Sequence, residues 1–208
     1  LDDIELVLEE GEIFGLLGPN GAGKTTFIKI LLGLCMPNSG SVQIFGKDLF
    51  TSRKAIMRDI GAIVEAPSFF DYLSAYENLR GLVSLDSGIP KGLSDRIHAA
   101  LSSVGLHGVS GDRVGTFSYG MKQRLGIAQS LLPETKFLIL DEPTNGLDPH
   151  GIAVMRRLIR DLAHERKITV LVSSHMLNEI EQICDRVMII HKGRKILGKP
   201  VRDLKRET

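Results

Sequence analysis

The sequence predicts an α/β fold in which helices cover both faces of a mostly parallel sheet, with antiparallel strands near the N-terminal end and an inserted α-helical subdomain. Short apolar segments alternate with longer segments of helical periodicity, and strands that are apolar throughout are typical of parallel sheets buried on both faces. Between residues 67 and 132 this alternation gives way to helical patterns alone. With 208 residues, of which 43% are hydrophobic, the chain is long enough for one domain with a substantial core.

The first residues indicate a half-buried strand. Ile4, Leu6 and Leu8 are apolar, whereas Glu5 and Glu9 are charged, and this alternation places the apolar side chains on one face of a strand. No turn precedes the strand. We therefore expect that the start of the domain is missing from the sequence.

The remaining elements follow from apolar runs, helical periodicity and turn residues. Before the helical stretch we expect a strand at 13–17, a helix at 26–34 and strands at 42–45 and 60–64. Within it, Ser74 and Glu77 have the spacing of a capping box, and Ser94 opens a second periodic segment. After it we expect a strand at 137–140, a helix at 152–162, a strand at 168–172, a helix at 176–183 and a strand at 187–190. We therefore expect a single domain, with residues 1–66 and 133–208 as the core and residues 67–132 as the helical subdomain.

Charge, cysteine content and hydropathy narrow the class of protein. Lys and Arg total 26 against 25 acidic residues, so no overall field favours nucleic acid or an anionic membrane. Cys35 and Cys184 have no metal-binding or redox spacing, and we expect both to be ordinary buried side chains in a reducing cytosol. No run of about 18 apolar residues is present to span a membrane. A cytoplasmic protein is expected.

The segment from Gly18 to Thr25 has the P-loop pattern, and it lies between an apolar strand and a helix. In this pattern glycines let backbone amides approach phosphate oxygens, a lysine reaches the β and γ phosphates, and a hydroxyl ligates magnesium. The alternative is a glycine-rich turn with a solvated lysine. The phosphate-binding residues predicted from the pattern are Asn20, Gly21, Ala22, Gly23, Lys24, Thr25 and Thr26. Thr25 is also predicted to be a magnesium ligand.

Two acidic residues, Asp141 and Glu142, follow the apolar strand at 137–140. They are therefore expected at the carboxyl edge of the sheet, where ligands bind in such folds. Asp141 suits the magnesium shell, and Glu142 suits a general base that accepts a proton from attacking water. Taken alone, the pair also fits a solvated helix entrance.

A third cluster, from Phe117 to Arg124, precedes a periodic helix, and Ser118 in it has the character of an N-cap. With this cluster in place, the chain resembles the ATP-binding-cassette (ABC) family of ATPases over essentially its whole length. Gly18 to Thr25 is similar to the Walker A motif of that family, and Leu138 to Glu142 is similar to its Walker B motif. The signature loop, the D-loop and the switch histidine correspond to Ser118–Met121, Gly146–Asp148 and His175.

The resemblance implies a head-to-tail dimer that binds ATP and magnesium, in which Ser118 and Gly120 of one subunit cover the nucleotide on the P-loop of the other. It also implies a γ-phosphate contact for His175. From the residues alone, His175 also fits a histidine of the core whose hydrogen bonds are satisfied. Asp148, followed by Pro149, fits a helix cap and an interface role equally well.

The chain departs from the family pattern in three places. Glu65 stands where the family usually has a glutamine that ligates magnesium, and an ionised carboxylate accepts hydrogen bonds but does not donate them. Tyr119 and Met121 replace a glycine and a glutamine of the signature loop. No residue of this sequence is assigned to the adenine-stacking aromatic of the family. Glu65 is predicted to join Thr25 and Asp141 at the metal.

The particular residues in these motifs resemble those of exporters of the bacitracin-resistance and lantibiotic-immunity type. That resemblance implies a cytoplasmic ATPase subunit, peripheral on the inner face of the cell membrane, that exports an antimicrobial peptide, antibiotic or related amphiphile. It implies a second ABC subunit and an integral membrane permease as partners, and no nucleic acid. The alternative is a soluble ABC ATPase that acts as a nucleotide-dependent switch in a process other than transport.

Overall fold

A six-stranded sheet forms the centre of the computed structural model, which describes residues 1–87 and 92–204. Its strands lie in the order β4-β5-β6-β1-β7-β8, and every neighbouring pair is parallel except β7 with β8. These strands are β1 (Ile13–Leu17), β4 (Ile60–Ile63), β5 (Phe137–Asp141), β6 (Thr169–Ser174), β7 (Arg186–His191) and β8 (Arg194–Pro200). A separate antiparallel hairpin consists of β2 (Gln43–Ile44) and β3 (Lys47–Asp48). The mostly parallel α/β fold predicted from the sequence is confirmed.

The helices connect the strands and cover the sheet. They are α1 (Lys24–Leu31), α2 (Leu49–Ile56), α3 (Ala75–Ser87), α4 (Leu93–Ser103), α5 (Tyr119–Ser130), α6 (Pro149–Arg160), α7 (Leu177–Ile183) and α8 (Val201–Leu204). Short 3₁₀ turns lie at Met57–Asp59, His107–Val109 and Val114–Thr116, and a π-helical turn at Asp161–Glu165 continues α6. Within the described ranges, no helix is long and apolar enough to cross a bilayer.

The core is divided between the two faces of the sheet. Ile13 and Leu17 of β1 belong to one apolar cluster, together with residues of α4, α5 and α6. Phe14 and Leu16, the alternate residues of the same strand, belong to the other, together with residues of α1 and α2. Because successive side chains of a strand point to opposite faces, burial on both faces explains why this strand is apolar throughout.

The strand expected at Ile4 to Leu8 does not form, although its apolar side chains are half buried in the predicted alternation. The carbonyl oxygens of Glu5 and Val7 accept hydrogen bonds from the side chains of Lys195 (2.9 Å) and Arg186 (3.2 Å). Side-chain donors therefore take the place of a strand ladder. The antiparallel pairs of the structure are β2 with β3 and β7 with β8.

Helix starts agree with the sequence where a cap is encoded locally. Ser74 and Glu77 form the predicted capping box, since the Glu77 amide donates to Ser74 Oγ at 3.1 Å and the Ser74 amide donates to Glu77 Oε2 at 2.8 Å. The periodic segment predicted to open at Ser94 is helix α4, which begins one residue earlier, at Leu93 after Gly92. Both α2 and β8 were missed, and five of the seven residues of β8 are polar, glycine or proline.

The helices α3, α4 and α5 lie between β4 and β5 in the chain, within the stretch assigned to the helical subdomain. Leu101 of α4 and Leu125 of α5 share one apolar cluster with Leu138 of β5. The division of the chain into core and subdomain stays a prediction. Residues 88–91 and 205–208, which that division includes, lie outside the described residues.

The two cysteines occupy different environments, which corrects the expectation that both are buried. Cys35 is exposed, whereas Cys184 is buried. Burial, together with the charge of Asp185, raises the pKa of the Cys184 thiol. The thiolate is the reactive form of cysteine. Cys184 is therefore protected from alkylation both because reagents cannot reach it and because its thiol stays protonated.

We predict that iodoacetamide alkylates only Cys35 in the native chain at mildly alkaline pH, and both thiols once guanidinium chloride has unfolded it. Mass spectrometry of the alkylated protein measures the number of labels. Cys35→Ser should abolish native labelling without affecting that of the unfolded chain, and a native label on Cys184 would contradict the prediction.

Candidate active site

The carboxyl ends of β1, β5 and β6 open onto one cleft of about 300 Å³. Ligands bind at this edge of open α/β sheets because the loops that leave parallel strands meet there. The cleft is lined by Pro19, Asn20, Gly21, Gly23, Lys24, Thr25, Thr26, Asp141, Glu142, Asn145 and His175. The structure thus brings together the P-loop, the two acidic residues and the switch histidine predicted from the sequence.

The loop after β1 is held tightly against the end of β7. A Cβ atom on Gly18 would lie 2.4 Å from the carbonyl oxygen of Ile190, so only glycine fits at this close approach. Ala22, a buried residue of the same loop, is not among the residues that line the cleft, and its predicted role at the phosphates stays a prediction. Helix α1 begins at Lys24 with no side chain capping its first amides, and such free amides form an anion site.

Lys24 reaches across the cleft from the start of α1. Its side chain is only 6% exposed, and its ammonium donates to the Gly18 carbonyl oxygen at 2.7 Å and lies 3.2 Å from Glu142 Oε1. A buried ammonium needs such partners. The loop therefore fixes one positive charge at the point where the free amides of α1 converge.

Asp141 and Thr25 form the floor of the cleft. Thr25 Oγ1 donates to Asp141 Oδ2 at 3.1 Å, and Ser173 Oγ donates to the other oxygen of the same carboxylate. Asp141 is paired with Ser173 in the β5–β6 register. A hydroxyl and a carboxylate in contact supply oxygen donors of the kind that magnesium prefers.

Glu142 lies between two groups that bear or accept positive charge. Its Oε1 atom faces Lys24, and its Oε2 atom is 2.6 Å from Nδ1 of His175. The backbone of Glu142 has a φ of +50°, a conformation that is uncommon outside glycine. Its amide donates to Ser173, to the carbonyl oxygen at 3.2 Å and to Oγ at 3.0 Å. The carboxylate is thus fixed in a position to accept a proton from a water molecule in the cleft.

Ser173 and Asn145 belong to the site but were not predicted. Ser173 orients both acidic residues through the contacts given above, and Asn145 lines the cleft. Asn145 follows Glu142 by three residues, and its amide donates to the Glu142 carbonyl oxygen at 3.1 Å, which closes a turn at residues 142–145. The role of Ser173 depends on the register between two strands that are far apart in the sequence, which no local pattern encodes.

Besides Ala22, three of the predicted site residues lie outside this cleft. Glu65 is exposed beyond the end of β4, and its predicted role at the metal stays a prediction. Ser118 is exposed and caps α5, with its Oγ accepting from the Met121 amide at 3.3 Å. Gly120 is half buried. Neither Ser118 nor Gly120 lines the cleft of its own chain. Their predicted role on the nucleotide of a second copy stays a prediction.

The residues of the predicted D-loop connect the site to α5 and α6. Asp148 caps α6, its Oδ1 accepting from the Gly151 amide at 2.8 Å, and Pro149 is the first helical residue. The helix-cap interpretation is thus confirmed, and the interface role stays a prediction. The ring of Tyr119 lies over Gly146, where an added Cβ would be 3.3 Å from Tyr119 Cε1.

Comparison with known proteins shows the family of the chain. A family described as "ABC transporter" matches residues 1–145. The chain is 51% identical to the bacitracin transport ATP-binding protein BcrA of Bacillus licheniformis over 100% of this chain and 67% of that protein. It is 42% identical to the lantibiotic transport ATP-binding protein SrtF of Streptococcus pyogenes over 96% of this chain and 83% of that protein. The chain therefore spans about two thirds of the first relative and about five sixths of the second.

Among solved structures, the chain is similar to an ATP-binding cassette described as a dimer in a post-hydrolysis state bound to ADP and Pi. The TM-score is 0.81 and the sequence identity 25%, and the match covers 97% of this chain and 90% of that one. The likeness confirms the fold class.

We predict that Lys24→Met weakens the binding of ATP roughly 10- to 100-fold, because a hydrogen bond to a charged group contributes about 1.5–3 kcal/mol. Methionine keeps the buried stem of the side chain and removes only the charge. Isothermal titration calorimetry measures the affinity, and Lys29→Met, an exposed position on the same helix, is the matched control. Equal affinity of Lys24→Met and the unmodified chain would exclude Lys24 from phosphate binding.

Proposed function

The chain belongs to the ABC transporter family of ATP-binding proteins, and we propose that it is the ATP-hydrolysing subunit of an exporter that works through a separate membrane permease. The observation that carries the proposal is the position of Glu142. Its two carboxylate oxygens face Lys24 and His175 at the edge of a cleft whose floor is formed by Thr25 and Asp141. This arrangement combines a phosphate-binding loop, a proton acceptor and oxygen donors for a divalent cation in one place.

The residues divide the work of hydrolysis among them. The amides of α1 and the Lys24 ammonium hold the phosphates and stabilise the negative charge that develops on them. Glu142 accepts a proton from the attacking water, and His175, hydrogen-bonded to Glu142, orients that carboxylate toward the γ phosphate. Magnesium fits the Thr25–Asp141 oxygen pair and would neutralise phosphate charge there.

A second ABC subunit is part of the proposal. Ser118 is exposed at the start of α5, and its hydroxyl, which accepts from the Met121 amide, keeps a hydrogen that can be donated to a nucleotide held by another copy. A helix N-terminus supplied in this way binds the γ phosphate and loses its ligand after hydrolysis. The nucleotide then controls how tightly two subunits associate. The related cassette described as a dimer with ADP and Pi supports this arrangement.

The surface proposed for the permease lies beside the helical stretch. Phe70 and Tyr72 are 59% and 69% exposed, and their ring centroids are 5.8 Å apart. Phe69 and Leu73, the other candidates in this segment, are half buried, and Phe69 packs against the core. An exposed aromatic pair on a segment anchored in this way is suited to receive an apolar helix of a partner.

The proposed cargo is an antimicrobial peptide, an antibiotic or a related amphiphile. It is supported by the names of two relatives, which are transport ATP-binding proteins for bacitracin and for a lantibiotic. The corresponding location is the cytoplasmic face of the cell membrane, with contact to the membrane through the permease. Cargo specificity is assigned to the permease, because the cleft described above is built for phosphate.

We predict that Glu142→Gln lowers ATP hydrolysis at least about 100-fold while ATP still binds, because a glutamine cannot act as the general base. Phosphate release measures turnover. The variant should also elute as a dimer in ATP during gel filtration, since the bound nucleotide is no longer cleaved. Glu165→Gln, at an exposed position away from the cleft, is the control, and hydrolysis unaltered in Glu142→Gln would remove Glu142 as the base.

We predict that the double variant Phe70→Ala and Tyr72→Ala loses co-purification with the permease, because it removes the exposed aromatic area without touching the core. Its ATPase activity in the absence of the permease should stay within about twofold, as expected of surface changes. Ile196→Ala, which removes another exposed apolar side chain on β8, is the matched control. Retention of the permease by the double variant would disprove this surface.

A further inference from the structure

A buried carboxylate lies behind the catalytic cleft. Glu179 of α7 is 6% exposed, and it is not among the residues that line the cleft. Its Oε2 atom accepts a hydrogen bond from Thr144 Oγ1 and a second one, at 3.4 Å, from Ser174 Oγ. Thr144 and Ser174 are themselves buried. A buried carboxylate is costly unless hydroxyl or amide donors satisfy it, and here one donor comes from the turn after β5 and the other from the last residue of β6.

The two donors lie next to the central pair of the site, Glu142 and His175. Thr144 follows Glu142 by two residues, within the turn at residues 142–145, and Ser174 directly precedes His175. One carboxylate group therefore connects the loop of Glu142 to the loop of His175. The distance that depends on this connection is the 2.6 Å between Glu142 Oε2 and His175 Nδ1.

The turn at residues 142–145 requires such support because its first residue is held in an unfavourable conformation. Glu142 has a φ of +50°, and non-glycine residues in this region persist only where the surroundings hold them. Ser173 holds the amide of Glu142 from the β6 side. The bond from Thr144 to Glu179 holds the other end of the turn against α7.

We propose that Glu179 is a positioning residue for hydrolysis, which keeps Glu142 and His175 in register by binding Thr144 and Ser174 together. The inference rests on the proposed ATPase function, and it assigns to Glu179 no contact with nucleotide. The Ser174 carbonyl oxygen also accepts a hydrogen bond from the Gly18 amide of the P-loop at 3.2 Å, but this is a backbone bond and does not involve the Glu179 side chain. Glu179 therefore acts on turnover, and its loss leaves the phosphate-binding loop in place.

The test is steady-state ATP hydrolysis by variants at both ends of the bond. Glu179→Met and Thr144→Val each remove the bond while they keep much of the side-chain volume. Each should lower kcat roughly 10- to 100-fold, since a displacement of about 1 Å in a catalytic group costs up to about 100-fold. The KM for ATP should stay within about twofold, because the loop that binds phosphate is untouched.

Rescue and additivity separate positioning from packing. Glu179→Gln keeps an acceptor oxygen for Thr144, so its kcat should stay within about threefold of the unmodified value. The double variant Glu179→Met and Thr144→Val should be no slower than the slower single variant, because both remove one shared interaction.

Glu12→Gln provides the matched control. Glu12 is also a buried carboxylate, 8% exposed, but it lies before β1 at the opposite end of the strand from the P-loop, where it pairs with Arg186 at 3.3 Å. We expect this variant to lower the midpoint of thermal unfolding with kcat unchanged. All rates are expressed per folded protein. If Glu179→Met does not fold, the result for Thr144→Val decides the test.

Three results would overturn the inference: an unchanged kcat in Thr144→Val, a rise in KM that accounts for the whole loss, or an equal loss of kcat in Glu12→Gln. These results leave the proposed function intact, because they presuppose that the unmodified chain hydrolyses ATP. A chain that binds ATP but does not hydrolyse it would overturn both.

Discussion

The register between β5 and β6 is the constraint on which the site depends. It places Asp141 opposite Ser173. Because of this pairing, the Ser173 hydroxyl donates to the Asp141 carboxylate, and the Glu142 amide donates to Ser173 at the end of β6. A shift of one residue would turn every side chain of the strand to the other face of the sheet. Leu138 and Leu140 would then exchange faces with Phe137 and Ile139, which pack in the other cluster. Because each cluster is close-packed around side chains of a particular shape, this packing protects the geometry of the site.

Charge is distributed in the cleft so that no group is buried without a partner. Lys24, which is almost inaccessible, lies between the Gly18 carbonyl oxygen and Glu142, and Glu142 in turn contacts His175. Each ionised group thus has a counter-charge or a dipole within hydrogen-bond distance, which offsets the cost of removing it from water. The same groups are the ones that phosphate oxygens and an attacking water would contact, so the fold places its polar groups where the chemistry requires them.

The sequence was informative wherever the physical cause is local. Burial on both faces produces apolar strands, so β1, β5 and β6 were predicted within about two residues, and the capping box of Ser74 and Glu77 is encoded in four residues. Where the cause is tertiary, prediction failed. The edge strand β8 has few apolar residues, and Ser173 and Glu179 acquire their roles only when distant loops come together. The strand expected at Ile4 to Leu8 was wrong because side chains, and not a neighbouring strand, bind its carbonyl oxygens.

The contacts around α5 give a physical route by which a partner on the aromatic surface could influence hydrolysis. Asp71, between Phe70 and Tyr72, is 2.7 Å from Lys122 of α5, and its carbonyl oxygen accepts from the Gly115 amide at 2.9 Å. Tyr119, one turn before Lys122, covers Gly146, which directly follows the turn at residues 142–145. Because Gly146 has a φ of +77° and a Cβ there would lie 3.3 Å from the Tyr119 ring, a side chain at this position would strain the backbone and displace the ring. The exposed ion pair contributes little stability by itself, so the packing of Tyr119 on glycine is the stronger link in this route.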